Sequence, residues 1–348
     1  MIAAAVERRA RAEDTRVVRV DRRAGGVELA TSAEIPRWIA RGTVLVVNDA
    51  ATIPASLSGT TSEGAEIELR LAEAPTFEGE AAPVVRAVVF GAGDFRTPTE
   101  HRPAPPTLRV GERLTLGPIE ATIERVHREH ARLVWVSLRA VHAEISLAES
   151  LYAHGRPVQY SYVREPLALW SVQTPFATRP VAVEAPSSGY ALSWALVSSL
   201  RAQGVEIAAL THGTGLSSTG DDALDALFPL DERYEIPVRT AAIIERARRD
   251  RRPIISVGTG AMRALESAAR ASDDGSVRKG SASTTLRLGP DERARVVTGL
   301  LTGVHDPSSS HGRLLRSLID DDALASATEL AEREALFGHE FGDAMLIA

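Results

Sequence analysis

Two textures of apolar residues divide the chain. From about 58 to 140, hydrophobic and polar positions alternate in short runs at 66–71, 84–90, 107–116, 120–126 and 132–138. Turns at Gly91-Ala92-Gly93 and Val110-Gly111-Glu112 separate some of them. A period of two is that of a half-buried strand, and five such runs without a helix between them predict a small antiparallel barrel or sandwich. The stretch 97–106, with four prolines, reads as a loop inside it. His127 and His130 fall in this module, where a spacing of three sets them on opposite strand faces and argues against shared metal ligation.

Elsewhere the texture is that of α/β units. The run 43–48, T-V-L-V-V-N, is apolar without alternation, which predicts a strand covered on both faces. Another strand is expected at 16–21, with a helix between the two from Ser32 as N-cap to Arg41. After a helical segment from 143 and a proline-punctuated stretch at 155–189, strands are expected at 206–210, 254–257 and 294–301. Helices are expected at 190–203, 240–251, 261–271, 312–319 and 322–336, the last with Asp320, Asp321 and Asp322 at its positive end. The reading is an α/β fold with an inserted antiparallel β-barrel. One discontinuous domain comprises 1–57 and 141–348, and the insert is 58–140.

Composition narrows the chemistry. At 348 residues, 44% hydrophobic and 25% charged, the chain has the make-up of a soluble globular protein with room for two domains. No apolar run reaches membrane-span length and no signal peptide opens the chain, so a cytoplasmic protein is expected. The absence of cysteine excludes disulfides, thiolate catalysis and Cys-ligated zinc. A net charge of −6 tilts against nucleic acid, because neutralising phosphates normally needs a basic surface.

Five stretches can carry chemistry. I-S-V-G-T-G-A-M-R at 255–263 is a strand, a glycine turn and a helix, the frame that can hold a phosphate or nucleotide. Its third fingerprint glycine is replaced by Arg263, so taken alone it reads first as a tight βα turn whose glycines relieve sterics. Asn48 and Asp49 end the buried strand, where α/β proteins place ligand groups. L-T-H-G-T-G at 210–215 carries His212, either a general base or a surface-loop histidine. At 302–313, His305, three serines and His311 crowd a strand-to-helix junction, with Ser309 or Ser310 as N-cap. Near the end, Asp343 precedes an apolar strand.

In order along the chain stand N-D-x-x-x-I-P-A-x-L at 48–57, A-P-x-x-G at 185–189, T-x-G-x-G at 211–215 and E-x-x-E-I-P at 232–237. V-G-T-x-x-x-R-x-L-E-S at 257–267, T-x-x-H-x-P-x-S at 302–309 and F-G-D-A-M-L-I at 341–347 complete the series. This order resembles the S-adenosylmethionine:tRNA ribosyltransferase-isomerase family of the queuosine pathway, from about Arg16 onward. The resemblance implies an α/β domain with an inserted barrel. It also implies S-adenosylmethionine as a ribosyl donor, the ribose carbons being rearranged onto the aminomethyl group of a 7-deazaguanine in the tRNA wobble position. Methionine and adenine leave. S-adenosylmethionine is then a co-substrate, and no metal or other cofactor is implied.

By this resemblance Glu232, His305, Asp343 and Asp49 are the catalytic candidates. Asn48, Gly213, Gly215, Gly258, Thr259, Arg263, Glu266, Pro307, Ser309 and Gly342 are the binding candidates, with Glu266 also bracing its helix. Several family positions differ here. Ala50-Ala51 stand for Thr-Arg, Ser56 for a later arginine, Ser187-Ser188 for Thr-Ala, and Tyr190 and Ala191 for Leu-His. Thr211 stands for a histidine, with His212 one place on, and Pro229-Leu230 stand for Met-His. Lost charge at three blocks opens two alternatives to the parent reaction: a paralogue using S-adenosylmethionine on a small molecule, or a non-catalytic nucleoside-binding protein.

Overall fold

The computed structural model describes residues 2–22, 24–77 and 82–348. Among these described residues, nine strands form one mixed sheet. Its order is Gly280–Thr284, Glu232–Ile236, Glu206–His212, Val44–Asn48, Ile254–Val257, Gly299–Gly303, Ala344–Ile347, Arg16–Val20 and Val27–Thr31. The four from Glu206–His212 to Gly299–Gly303 run parallel, so their C-terminal ends share one edge.

Val44–Asn48 is buried at every residue, as its unbroken apolar run requires. Val44 and Val46 pack with Ile244 and Ala247 of the helix Val238–Arg249 and with Met262 and Leu265 of the helix Thr259–Arg270. Leu45 and Val47 point the other way, into a second core with Ile35, Val197 and Leu200. The period of two thus divides one strand between two cores.

The insert is a closed barrel of six antiparallel strands among the described residues: Ser56–Thr61, Glu66–Leu71, Val84–Phe90, Arg113–Leu116, Ile119–Val126 and Leu133–Ala140. Sequence patterning gives five of these. Ser56–Thr61, S-L-S-G-T-T, carries too few apolar positions to stand out. It nonetheless closes the barrel, because a Cβ on Gly59 would lie 2.1 Å from the Thr115 carbonyl oxygen and only glycine admits that approach. His127 and His130 lie beyond the strand end rather than within it. Their rings sit 5.1 Å apart in one turn, not on opposite faces, and His127 Nδ1 accepts from the backbone N–H groups of Glu129 and His130.

Other boundaries move for local reasons. The helix expected at 32–41 shrinks to a 3-10 turn, Ser32–Glu34, and one turn of helix, Ile35–Trp38, with Ser32 buried and not capping. The helix expected from 190 begins at Trp194, capped by Ser193, after a separate 3-10 turn at Ser187–Ala191. The strand expected from 294 begins at Gly299, because the N–H groups of Arg295, Val296 and Val297 turn to the Glu266 carboxylate. No helix among the described residues is long and apolar enough to cross a membrane.

Candidate active site

At the shared strand edge, Asn48 clamps the backbone of His212. Its Oδ1 accepts from His212 N at 2.9 Å and its Nδ2 donates to His212 O at 2.9 Å. The imidazole, 1% exposed, reaches Glu232 with Nε2 3.3 Å from Oε2. Glu232 also accepts from Gly215 N at 2.9 Å and pairs with Arg263, whose Nε donates to Leu286 O. Burial alone would raise the Glu232 pKa, but His212, Arg263 and the Gly215 N–H outweigh it and hold the carboxyl down at about 2. A buried carboxylate with this set of donors is a fixed negative charge.

The glycine turn earns its residues here. Gly258 has φ +92°, a backbone state that side chains resist. A Cβ on Gly260 would fall 2.6 Å from His212 Nδ1, so glycine there makes room for the imidazole beneath the first turn of Thr259–Arg270. Thr259, the first helical residue, is half-buried beside it. Gly213 and Gly215 serve closeness too: a Cβ on either would meet the carbonyl oxygen of Val181 or Ala72 at 2.9 Å.

The neighbouring residue on each strand builds a second centre. Thr211 donates to Asp49 Oδ1 at 2.6 Å, and Arg179 binds Glu235 at 2.7 Å while reaching Thr211. Burial and the nearby Glu235 raise the Asp49 pKa above its ordinary value, although Thr211 and Arg179 pull it down. Thr211 and His212 point to opposite faces because they are adjacent on a strand. That accounts for why a histidine one place along finds a different partner.

His305 bonds Thr302 Oγ1 through Nε2 at 2.9 Å, and its ring stacks on His311 at 4.5 Å. Burial holds both imidazoles below their ordinary pKa. The His311 charge also opposes protonation of His305, and Arg263 opposes that of His311, while Glu232 favours it. The histidine pair is therefore within electrostatic reach of the Glu232 centre and neutral near pH 7. Ser309 is the N-cap of Ser310–Leu315, its Oγ accepting from Gly312 N at 3.0 Å. Pro307 packs against Gly312, where a Cβ would lie 2.6 Å from the proline Cα. Both residues shape this turn.

Two candidate carboxylates are already saturated. Asp343, with no side-chain exposure, accepts from Arg16 Nη2 at 2.7 Å, from Arg16 N, from Phe337 N at 2.9 Å and from Arg9. Glu266 takes the three N–H groups of Arg295, Val296 and Val297 and pairs with Arg270. The bracing expected of Glu266 is what the geometry gives, and no lone pair is left to meet a ligand. Gly342 permits the turn before Asp343, since its Cβ would stand 2.4 Å from Gly338 O. Among the described residues there is no group of three or more His, Asp or Glu side chains that could hold a metal.

Sequence reasoning missed a third region. A cavity of about 240 Å³ lies beside Thr302, lined also by Arg8, Arg9, Ser188, Tyr190 and Glu340. Ala191, where the resemblance expects a histidine, lines it too. Nearby, Tyr160 donates to Glu184 at 2.6 Å and Tyr162 donates to Glu340, the two phenol rings 5.9 Å apart. Burial and the charge of Glu340 raise the Glu184 pKa to about 7. Ser188, Tyr190, Ala191 and Thr302 fall in the motif blocks or at family positions beside them, but Arg8, Arg9, Tyr160, Tyr162, Glu184 and Glu340 lie outside these, and no motif joins the set.

Known proteins share this arrangement of elements. A family model described as queuosine biosynthesis protein matches residues 2–347. The S-adenosylmethionine:tRNA ribosyltransferase-isomerase of Sorangium cellulosum is 36% identical over an alignment of 361 residues, covering 96% of this chain and 92% of its own. The protein of the same name from Syntrophotalea carbinolica is 32% identical over 346 residues, with 97% and 94% covered. The crystal structure of the S-adenosylmethionine tRNA ribosyltransferase of Thermotoga maritima superposes with a TM-score of 0.53 at 20% identity. The match covers 99% of this chain and 96% of that one, a likeness of fold.

Proposed function

The chain belongs to the queuosine biosynthesis protein family, and we propose that it is an S-adenosylmethionine:tRNA ribosyltransferase-isomerase acting in the cytoplasm. S-adenosylmethionine is the ribosyl donor, and the aminomethyl group of a 7-deazaguanine in tRNA is the acceptor. A base removes a proton next to the sulfonium, adenine departs, the amine attacks, and methionine is released after rearrangement. The enzyme has two domains, an α/β unit and the barrel, whose first strand, Ser56–Thr61, begins two residues before the boundary expected at 58.

The observation that carries this reading is the Glu232 clamp at the C-terminal edge of the parallel strands. A carboxylate held ionised by His212, Arg263 and Gly215 N–H is a preorganised negative charge for a sulfonium and for the cation that forms as adenine leaves. His305, neutral at working pH, is positioned by Thr302 as the proton acceptor. Asp49, its Oδ1 held by the Thr211 hydroxyl, is the carboxyl that exchanges a proton with the leaving base. Gly258, Thr259 and Arg263 form the wall of the donor pocket, with Gly213 and Gly215 opposite. Asn48 positions His212, while Asp343, Glu266, Pro307, Ser309 and Gly342 hold the loops. A small-molecule acceptor is not favoured, because relatives at up to 36% identity that span the chain carry the tRNA activity in their names.

The test is incubation with S-adenosylmethionine, with and without tRNA carrying the aminomethyl-deazaguanine, while following adenine and methionine. Release that depends on tRNA is expected. Release without tRNA supports the small-molecule reading, and no release with no measurable binding overturns both.

A further inference from the structure

The cavity beside Thr302 contains two buried polar atoms that the fold leaves unused. Tyr190 is 7% exposed, and its hydroxyl has no hydrogen-bond partner among the described residues. Arg9 Nε is in the same condition on the same cavity wall. Leaving such donors unmade costs about 1–3 kcal/mol each, a cost that an acceptor reaching them from the cavity their residues line would remove.

Charge specifies that acceptor. Asp343 on the wall is shared between the lining Arg9 and Arg16, which lies outside the lining and adds a positive charge beside it. Arg8 adds to it: its guanidinium lies 4.1 Å over the Tyr190 ring and its Nη1 is held by the backbone carbonyls of Ser171 and Gln173. Glu340 supplies the one lining carboxylate beyond Asp343, and Tyr162 occupies only its Oε2. With Arg9 paired to Asp343, the remaining lining charges, Arg8 and Glu340, are one of each sign, which matches a small zwitterion. At about 240 Å³ the space falls short of the roughly 300 Å³ at which pockets for whole drug-sized ligands begin, so it takes one end of a larger molecule. Thr302 touches both this cavity and His305, and Ser188 Oγ stands 3.5 Å from where a Gly258 Cβ would be. The cavity therefore adjoins the reacting centre.

We propose that this cavity binds the α-amino-acid end of S-adenosylmethionine, with the carboxylate on Arg9 Nε and the Tyr190 hydroxyl and the ammonium on Glu340. The assignment rests on the ribosyl-donor reading above. It makes Tyr190, which stands where the family has leucine, a specificity-determining residue.

The test is calorimetric titration of the full-length protein with L-methionine, 3-(methylthio)propylamine, which lacks the carboxylate, and 4-(methylthio)butanoate, which lacks the amine. L-methionine is expected to bind at least tenfold more tightly than either analogue. Tyr190→Phe removes one unpartnered oxygen and leaves the packing. It is expected to weaken L-methionine about tenfold while leaving the propylamine unchanged. Glu340→Gln is expected to weaken L-methionine and the propylamine but not the butanoate. No methionine binding, three indistinguishable ligands, or variants that weaken all three alike would overturn the assignment, even in a protein that releases adenine. Methionine binding of the expected pattern in a protein that releases no adenine keeps the amino-acid site and overturns the ribosyl-donor reading instead.

Discussion

Glu232 and Asp49 stand on the same strand edge and are built from neighbouring residues of the strand Glu206–His212, yet their carboxyl groups shift in opposite directions. Glu232 is enclosed by His212, Arg263 and a backbone N–H, and falls to about 2. Asp49 has a threonine hydroxyl as its close partner, while Arg179 is engaged with Glu235, and it rises. Both feel burial as their largest single influence. What decides the sign is whether positive charge is enclosed with the carboxylate or spent elsewhere. Alternation along the strand makes this possible, because consecutive residues, Thr211 and His212, serve opposite faces.

The comparison breaks most severely at Arg263. Arg263→Ala leaves Glu232 buried with a histidine as its remaining side-chain partner, and is expected to cost about 3–5 kcal/mol, read as a lower urea midpoint. Turnover should vanish even where the variant remains folded.

Glu232→Gln keeps the shape and removes the charge. Adenine release should fall on the order of 10²-fold or more with the fold retained, measured against circular dichroism. The pH dependence follows from the sign of the shift. Its folded pKa, about 2, lies below the ordinary 4.5, so the stabilisation is present above 4.5 and is lost as pH falls from there toward 2. The wild-type protein should weaken over that window in acid titration, and the glutamine variant should lack this component.

Thr211→Val deletes the hydroxyl donor to Asp49. A cost of about 1 kcal/mol at pH 7 is expected, with the Asp49 pKa rising further in an NMR titration. An unchanged titration would mean that Thr211 does not control that carboxyl.

Asp49→Asn should have the smallest effect on stability and the opposite sign to Glu232→Gln. A raised folded pKa contributes stability at low pH that is lost as pH rises above 3.8 toward the folded value. Removing the charge is therefore expected to leave thermal stability at pH 7 unchanged or higher, within about 0.5 kcal/mol. A clear destabilisation would contradict the assignment of burial as the dominant influence on Asp49.

The fold was legible wherever burial leaves a period in the sequence. The unbroken run at 43–48 announced a strand between two cores, and the alternation across 66–138 announced the barrel. Ser56–Thr61 escaped because Gly59 and the hydroxyl residues around it are chosen for close approach, not for apolar burial. The site divides likewise. Gly258, Gly260 and Arg263 could be found as a motif, but what the turn accommodates, the His212 ring, depends on a strand some fifty residues earlier. Asp343 illustrates the reverse: its motif is legible, while its saturation by Arg9, Arg16 and Phe337 N is a matter of tertiary placement. Glu340 carried no local signal, and Tyr190 stood out only as a departure from the family's leucine.

The strand Ala344–Ile347 lies between Gly299–Gly303 and Arg16–Val20, and Asp343 bonds Arg16 across 327 positions of sequence. During synthesis the hairpin Arg16–Val20 with Val27–Thr31 thus waits, with one edge unpaired, until Ala344–Ile347 has been made. The barrel, whose strand pairings all fall within 56–140, has no such delay in closing its sheet. Completion of the sheet and completion of the amino-acid cavity, whose wall includes Arg9 and Asp343, become one event in time. A nascent chain halted before Ala344–Ile347 would accordingly hold the barrel and a cavity lacking part of its wall.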